Sequence, residues 1–237
     1  MADTSQFGMP LLAAAQAQKH VTVNEALSVI DAVAQLRLIS ASLTEPPVSA
    51  IPGETYAVAS GATGEWFGED GKIAIAVNGS WRFVTPKAGW QAFNEETGSN
   101  HLFDGTDWLD STIAATVNGT ATVQHIAEHD HVVSAGPNSV TTFHIPKDSV
   151  VTGVSGRVIS TLTGALTSWD LGVPGFLNRY GSGLGTGMNS YALGITGNPT
   201  AYYANTPLEL TAQGGDFASG TVRLAIHYTQ ILPPRSV

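Results

Sequence analysis

GTVRLAIHYTQIL, Gly220–Leu232, alternates from end to end. Val222, Leu224, Ile226 and Tyr228 fall on one side of an extended chain, and Arg223, Ala225, His227 and Thr229 fall on the other. One side is apolar and the other mixed, the pattern of a strand that buries a single face. Working back toward the N-terminus, TTFHI, VVTGVSGRVISTL, LTSWDLGV and PLELTA follow as further short apolar runs, separated by glycine-rich or proline-containing turns. About seven or eight strands in roughly a hundred residues predict a β-sandwich of jelly-roll type over residues 132–237.

Composition agrees with a mainly β chain. Glycine is abundant at 26 of 237 residues, and only 12% of residues are charged, which favours strands and turns over a helical bundle. A chain of this length can bury its own core. There is no cysteine, so disulfides and thiolate metal sites are excluded and robustness must come from packing or association. The start, MADTSQFGMPLLAAAQAQKH, has no basic n-region and too short an apolar stretch for a signal peptide, and no run approaches a membrane span. The chain is therefore expected to be soluble, without a standard secretion signal or membrane insertion.

Charge is distributed unevenly. Residues 1–131 carry a formal charge of −10 and residues 132–237 a charge of +1, giving the −9 of the whole. Neither half has a basic patch that would gain from counterion release, and the acidic half would be repelled by phosphates, so nucleic acid is not expected as a partner. The nearly neutral C-terminal half suits an uncharged polar ligand.

In the N-terminal part, VTVNEALSVIDAVAQLRLI places Val23, Ala26, Leu27, Ile30, Val33 and Ala34 at helical spacing, with Thr22 and Glu25 placed as a capping box. This predicts a helix from about Val23 to Leu38. PLLAAAQAQKH before it reads as a short alanine-rich helix with Pro10 in its first turn. TEPPVSAIPGE then ends the helical pattern. The helical segment is assigned to residues 1–45. ETYAVA, GKIAIAV, SWRFVTP, GWQAFN and NHLFDG, with Asn78-Gly79 and Asp104-Gly105 as tight turns, predict a compact antiparallel meander within residues 46–110. Trp66, Trp81, Trp90 and Trp108 are read as its core or cross-strand residues. STIAATVNGTATVQHIAEHDH, residues 111–131, reads as a connector.

Glycines at 181, 183, 185 and 187 miss the G-x-G-x-x-G spacing, and Gly71-Lys72 is followed by Ile73, so neither nucleotide-binding motif is present. No cofactor is expected. His125, His129 and His131 form the one metal-like cluster; a helix would pair the first two on one face, whereas an extended chain would pair the last two. On the axis of a symmetric trimer an H-x-H pair could supply six imidazoles, and the alternative is a solvated linker; no metal is assigned. Asp148, Asp170, Glu209 and Asp216 are the carboxylates from which a glycan-cleaving pair would have to come, but nothing in the sequence selects two of them. There is no G-x-S-x-G elbow either.

PLLAAAQAQKHVTVNEAL, GETYAVASGATGEWFGEDGKIA, NGSWRFVTPKAGW and FDGTDW together resemble a phage-associated domain of unknown function found in bacterial prophages and gene transfer agents. The resemblance spans about residues 7–109. IPKDSVVTGVSGRV, the Trp169–Gly172 turn, RYGSGLGTG, AYYANTPLELTAQGGDF and GTVRLAIH resemble a module attached to that domain in some members. The resemblance implies a head-spike or tail-fibre component of a phage-like particle, assembled in the bacterial cytoplasm and released, that binds cell-surface polysaccharide. It supplies no catalytic residues, and no enzyme activity is expected.

Sugar recognition needs aromatic faces and planar polar groups, and Trp169, Asp170, Asn178, Arg179, Tyr180, Asn189, Tyr191, Tyr202 and Tyr203 supply them. Adjacent tyrosines in a strand face opposite ways, so at least one of Tyr202 and Tyr203 is expected in the core. The N-terminal segment is expected to contact other particle proteins. A homo-oligomer, favoured as a trimer, would multiply weak single sites. A glycan depolymerase and a purely architectural protein without a ligand remain as alternatives.

Overall fold

The computed structural model describes residues 3–13, 19–77 and 79–236. The chain forms two compact units, Met1–Ala121 with Pro233–Val237, and Thr122–Leu232. It is mainly β, as expected, and among the described residues it has one α-helix, near the start.

In the first unit the helix α1 runs from Lys19 to Ala34. It begins before Thr22, so the expected capping box is not its N-terminus. It also stops short of Leu38, because Leu36 and Leu38 leave the helical path to accept backbone hydrogen bonds from Phe93 and Glu95 at 3.0 and 2.8 Å. Pairing with a strand distant in sequence overrides the local period. Of the expected alanine-rich helix, residues 14–18 lie outside the described residues, and Pro10–Ala13 are not helical.

The buried face of α1 differs from the periodic one. Asp31 and Ala32 are buried, whereas Val23, Ala26, Ile30 and Ala34 are exposed. Asp31 turns inward because the chain before the helix needs an acceptor there. Its carboxylate accepts hydrogen bonds from the Thr4 hydroxyl (2.7 Å) and from the backbone N–H groups of Gln6 (2.7 Å) and Phe7 (2.8 Å). Burial alone would raise this carboxyl, but these donors outweigh it and hold it below its ordinary value.

After α1 come β1 (Arg37–Leu38), β2 (Thr55–Ala57), β3 (Ile73–Val77), β4 (Ser80–Val84), β5 (Gln91–Asn94), β6 (Ser99–Phe103), β7 (Trp108–Asp110) and β8 (Thr112–Ala115). The expected single meander is two sheets. One is the antiparallel β2–β3–β4; the other has the order β1–β5–β6–β7, with β1 parallel to β5 and the remaining pairs antiparallel. Ile73 and Ile75 of β3 pack with Leu36, Leu38 and Ala92, and Trp90 and Trp108 lie against this cluster. A second cluster gathers Tyr56 and Trp66 with Trp81, where Trp66 and Trp81 meet edge to face at 5.1 Å between ring centres.

The two expected turns have different fates. Asp104 caps its own turn by accepting from Thr106 and Asp107 N–H at 2.9 and 3.0 Å, while Gly105 takes φ +109°. Val77 opposes Ser80 across the β3–β4 hairpin, but Asn78 lies outside the described residues. Arg235, near the end of the chain, forms ion pairs with Asp104 and with Asp107.

The second unit contains eight strands: β9 (Ala121–Val132), β10 (Asn138–Ile145), β11 (Ser149–Gly164), β12 (Ser168–Val173), β13 (Phe176–Leu184), β14 (Tyr191–Tyr202), β15 (Thr206–Gln213) and β16 (Phe217–Leu232). One sheet runs β9–β16–β11–β14 and the other β10–β15–β12–β13. Taking the strands in chain order, the first neighbours the eighth, the second the seventh, and the third lies between the eighth and the sixth. This is the jelly-roll succession, so the expected fold type holds at the level of topology. The expected connector is corrected: residues 121–132 are the first strand of the sandwich.

The alternation in Gly220–Leu232 is realised as read. Val222, Leu224, Ile226 and Tyr228 are buried, and pack with Val151, Val154, Val158, Leu171, Leu208 and Leu210 between the sheets. Closure depends on one glycine. A Cβ on Gly194 of β14 would stand 2.2 Å from the Tyr180 carbonyl oxygen of β13, so only a bare backbone lets these strands, from different sheets, approach this closely.

Candidate functional site

The outward face of β14, β11 and β16 is organised in rungs. Tyr191, Arg157 and Arg223 lie side by side across the three strands; Leu193, Ser155 and Ala225 make the next rung, and Ile195, Gly153 and His227 the one after. Alternation in β14 sends Ala192 into the core and leaves Tyr191, Leu193 and Ile195 exposed at 61, 70 and 83%.

The first rung is polar and preorganised. The Arg157 guanidinium sits 5.6 Å from the centre of the Tyr191 ring and donates to the Asn189 carbonyl oxygen at 3.1 Å. Asn189 itself takes φ +70°, a left-handed conformation that asparagine tolerates better than most residues. Arg223 grips Asp130 of β9 with two parallel bonds, Nε to Oδ1 at 2.6 Å and Nη2 to Oδ2 at 2.7 Å, and Glu128 stands 3.7 Å from its Nε. The hydrogen bonds and charge of Arg223 hold the Asp130 carboxyl below its ordinary value, and Asp130 in turn raises the Arg223 guanidinium. Glu128, Ser155, Arg157, Tyr191, Leu193 and Arg223 line a shallow groove of about 350 Å³ here.

A second groove of about 360 Å³ continues along the same face, lined by Gln124, Thr152, Ser155, Leu193, Ile195 and His227. The Ser155 hydroxyl and His227 Nε2 lie 3.1 Å apart between the two. The face therefore grades from an aromatic and charged end to an aliphatic end. The first end combines an exposed aromatic ring, Tyr191, with a hydrogen-bond donor, Arg157, and an acceptor, Glu128.

The residues singled out from sequence divide three ways. Trp169, Tyr180 and Tyr202 are corrected to core residues, buried at 1, 2 and 8% exposure, and their polar atoms have internal partners. Trp169 donates its indole N–H to the Gly185 carbonyl at 3.0 Å, and the Tyr180 and Tyr202 hydroxyls meet at 2.7 Å. Tyr191 lines the groove, and Asn189 touches it only through the backbone carbonyl that accepts from Arg157. The others lie elsewhere. Asp170 of β12 accepts from Gly183 N–H and Gln213 Nε2 at 2.8 and 2.9 Å. Arg179 of β13 stacks 4.2 Å over Phe176 and reaches the Thr200 hydroxyl at 3.2 Å. Asn178 is exposed on β13, and Tyr203, after β14, is 84% exposed. The nine residues are thus not one site.

Reading the sequence missed Arg157, Glu128, Ser155 and Arg223. Arg223 was visible on the polar side of its alternating strand, but its partner Asp130 sat in a segment read as a connector.

The histidines each have a neighbour of their own. His125 stacks on Tyr228 and His129 on Phe143, both at 5.3 Å, and His131 Nε2 lies 2.8 Å from the Ser139 hydroxyl. They sit at alternate positions of β9, and among the described residues no group of three or more His, Asp or Glu could hold a metal ion. Asp148, Asp170, Glu209 and Asp216 line neither groove.

Comparison with known proteins bears on the first unit. Residues 23–109 match the family described as protein of unknown function (DUF2793). That match covers well under half of the chain. No curated protein matches it. A solved chain described as "Cyanophage Pam1 capsid asymmetric unit" is similar at 22% identity over 50% of this chain and 92% of that chain, with a TM-score of 0.38. At that score the likeness carries no argument about this protein. No helix among the described residues is long and apolar enough to cross a membrane.

Proposed function

We propose that this protein is a structural component of a phage-like particle, a head spike or tail fibre, that adheres to host cell-surface polysaccharide through its jelly-roll unit. The N-terminal strings that resemble a phage-associated domain support the particle role, and the DUF2793 match over residues 23–109 agrees with where those strings lie. The adhesive role rests chiefly on one observation, the rung in which Arg157 is held against the exposed ring of Tyr191 beside Arg223 and Glu128.

Attachment and self-association are assigned to α1. Val23, Ala26, Ile30 and Ala34 recur at helical spacing, and all four are exposed, an apolar stripe left open by the described residues. A second copy of the same helix supplies a matching stripe, and the trimer favoured from sequence would join at this face. Several groove copies on one particle then bind a repeating polymer far more tightly than one.

Binding of purified protein to immobilised bacterial capsular polysaccharides, compared with Tyr191→Ala, tests the adhesive role. No binding to any polysaccharide would sink it. Unchanged polymer length after incubation separates adhesion from depolymerisation.

A further inference from the structure

The first unit carries a large cleft of its own. It has a volume of about 770 Å³ and opens beside Ala57–Ser60, at the end of β2, and Asn94, His101 and Trp108 of the other sheet. Its polar lining is concentrated: the carboxylates of Asp70, Glu96 and Asp107, the hydroxyls of Ser42, Ser60, Thr97 and Thr106, and the amide of Asn94. Trp108 adds a half-buried aromatic wall, seated against Phe103 at 5.1 Å between ring centres.

The carboxylates are fixed in place. Glu96 accepts from the Ser40 and Ser42 hydroxyls at 2.7 and 2.9 Å, Asp70 accepts from Ala62 N–H at 2.8 Å, and Asp107 pairs with Arg235 at 3.0 Å. Each still has oxygen lone pairs beyond those bonds. Among the described residues the one Lys or Arg paired with these three carboxylates is Arg235, on Asp107, so the lining keeps a net negative charge.

Two buried nitrogens of lining residues have no partner among the described residues. His101, only 6% exposed, places Nε2 3.1 Å from the Thr97 hydroxyl and 3.3 Å from Asp110, yet its Nδ1 has no hydrogen-bond partner. The indole Nε1 of Trp108 has none either. Buried polar atoms without partners are rare and costly, and these two belong to residues that line the cleft.

We propose that this cleft binds a polyhydroxylated ligand that is neutral or carries an amine, such as a hexose or hexosamine unit, with its apolar side against Trp108 and its hydroxyls on Glu96, Asp70 and Thr97. The negative lining rejects acidic sugars. This site belongs to a different unit from the sandwich groove and does not depend on it.

The test follows the Trp108 indole N–H resonance of the full chain during titration with glucose, glucosamine and glucuronate, in the wild type and in Tyr191→Ala. Glucose and glucosamine are expected to shift it equally in both proteins, with glucuronate at least about tenfold weaker, the ratio given by 1.4 kcal/mol. Asp70→Asn keeps an oxygen for Ala62 N–H and is expected to weaken glucosamine more than glucose. No shift with any of the three sugars overturns the proposal, and so does glucuronate binding as well as glucose. A shift lost in Tyr191→Ala would assign the effect to the sandwich and overturn it equally.

Discussion

The hydroxyls of Tyr180 and Tyr202 meet at 2.7 Å inside the sandwich, joining a strand of one sheet to a strand of the other. Burial, and then the hydrogen bond to Tyr202, push the Tyr180 phenol well above its ordinary value, so that ring stays neutral at any physiological pH. Removing one hydroxyl leaves the other buried without its partner. Tyr180→Phe is expected to cost about 1–3 kcal/mol and Tyr180→Ala about 3–5 kcal/mol, whereas the double change of Tyr180 and Tyr202 to Phe costs less than the sum of the single ones. Urea unfolding of the wild type, the two single Phe variants, the double variant and Tyr180→Ala checks this, and strictly additive costs would show that the hydroxyls do not interact.

Acid weakens the fold in two stages. His101 and His131 are buried, which holds each below its ordinary 6.5; Asp110 and Glu96 partly offset this at His101, and His129 adds to it at His131. The unfolded chain therefore takes up these protons first, and stability is full above pH 6.5 and falls as pH drops below it. Asp31 and Asp104 come later. Burial would raise both, but hydrogen bonds outweigh it, from Gln6, Phe7 and Thr4 at Asp31 and from Asp107, Thr106 and Arg235 at Asp104. Their stabilisation is present above 3.8 and is lost as pH falls through their lower folded values. Unfolding free energy measured against pH is expected to decline in both ranges, with the upper decline reduced in His131→Leu.

The apolar stripe on α1 makes a prediction about assembly. Ile30 is 52% exposed, so Ile30→Asp is expected to change the stability of the single chain by no more than about 0.5 kcal/mol. Sedimentation should nevertheless show a smaller particle than the wild type. A wild-type chain that sediments as a monomer contradicts the assignment of this face.

Much of the sandwich was legible because its signal is local. Val222–Tyr228 alternates strictly, and each residue went to the face its period demanded. Segment 121–132 was missed as a strand because its inward positions include His125, His129 and His131, whose polarity hides the alternation that Tyr228, Phe143 and Ser139 accommodate. The helix face was misread because Asp31 is buried by partners 24 to 27 residues away. The same distance explains the site. Tyr180 and Tyr202 look like ligand aromatics until each is seen to satisfy the other, while Arg157, Arg223 and Asp130 meet only through strand pairing that no short window contains.

The adhesive claim is tested most directly by binding of the purified chain to an array of bacterial surface polysaccharides, with Tyr191→Ala and Arg157→Ala alongside. Both side chains lie on the outer face of the sandwich, so each variant should unfold within about 0.5 kcal/mol of the wild type. The account predicts that the wild type binds at least one polysaccharide and that both variants lose that binding. Undiminished binding by both variants would contradict it.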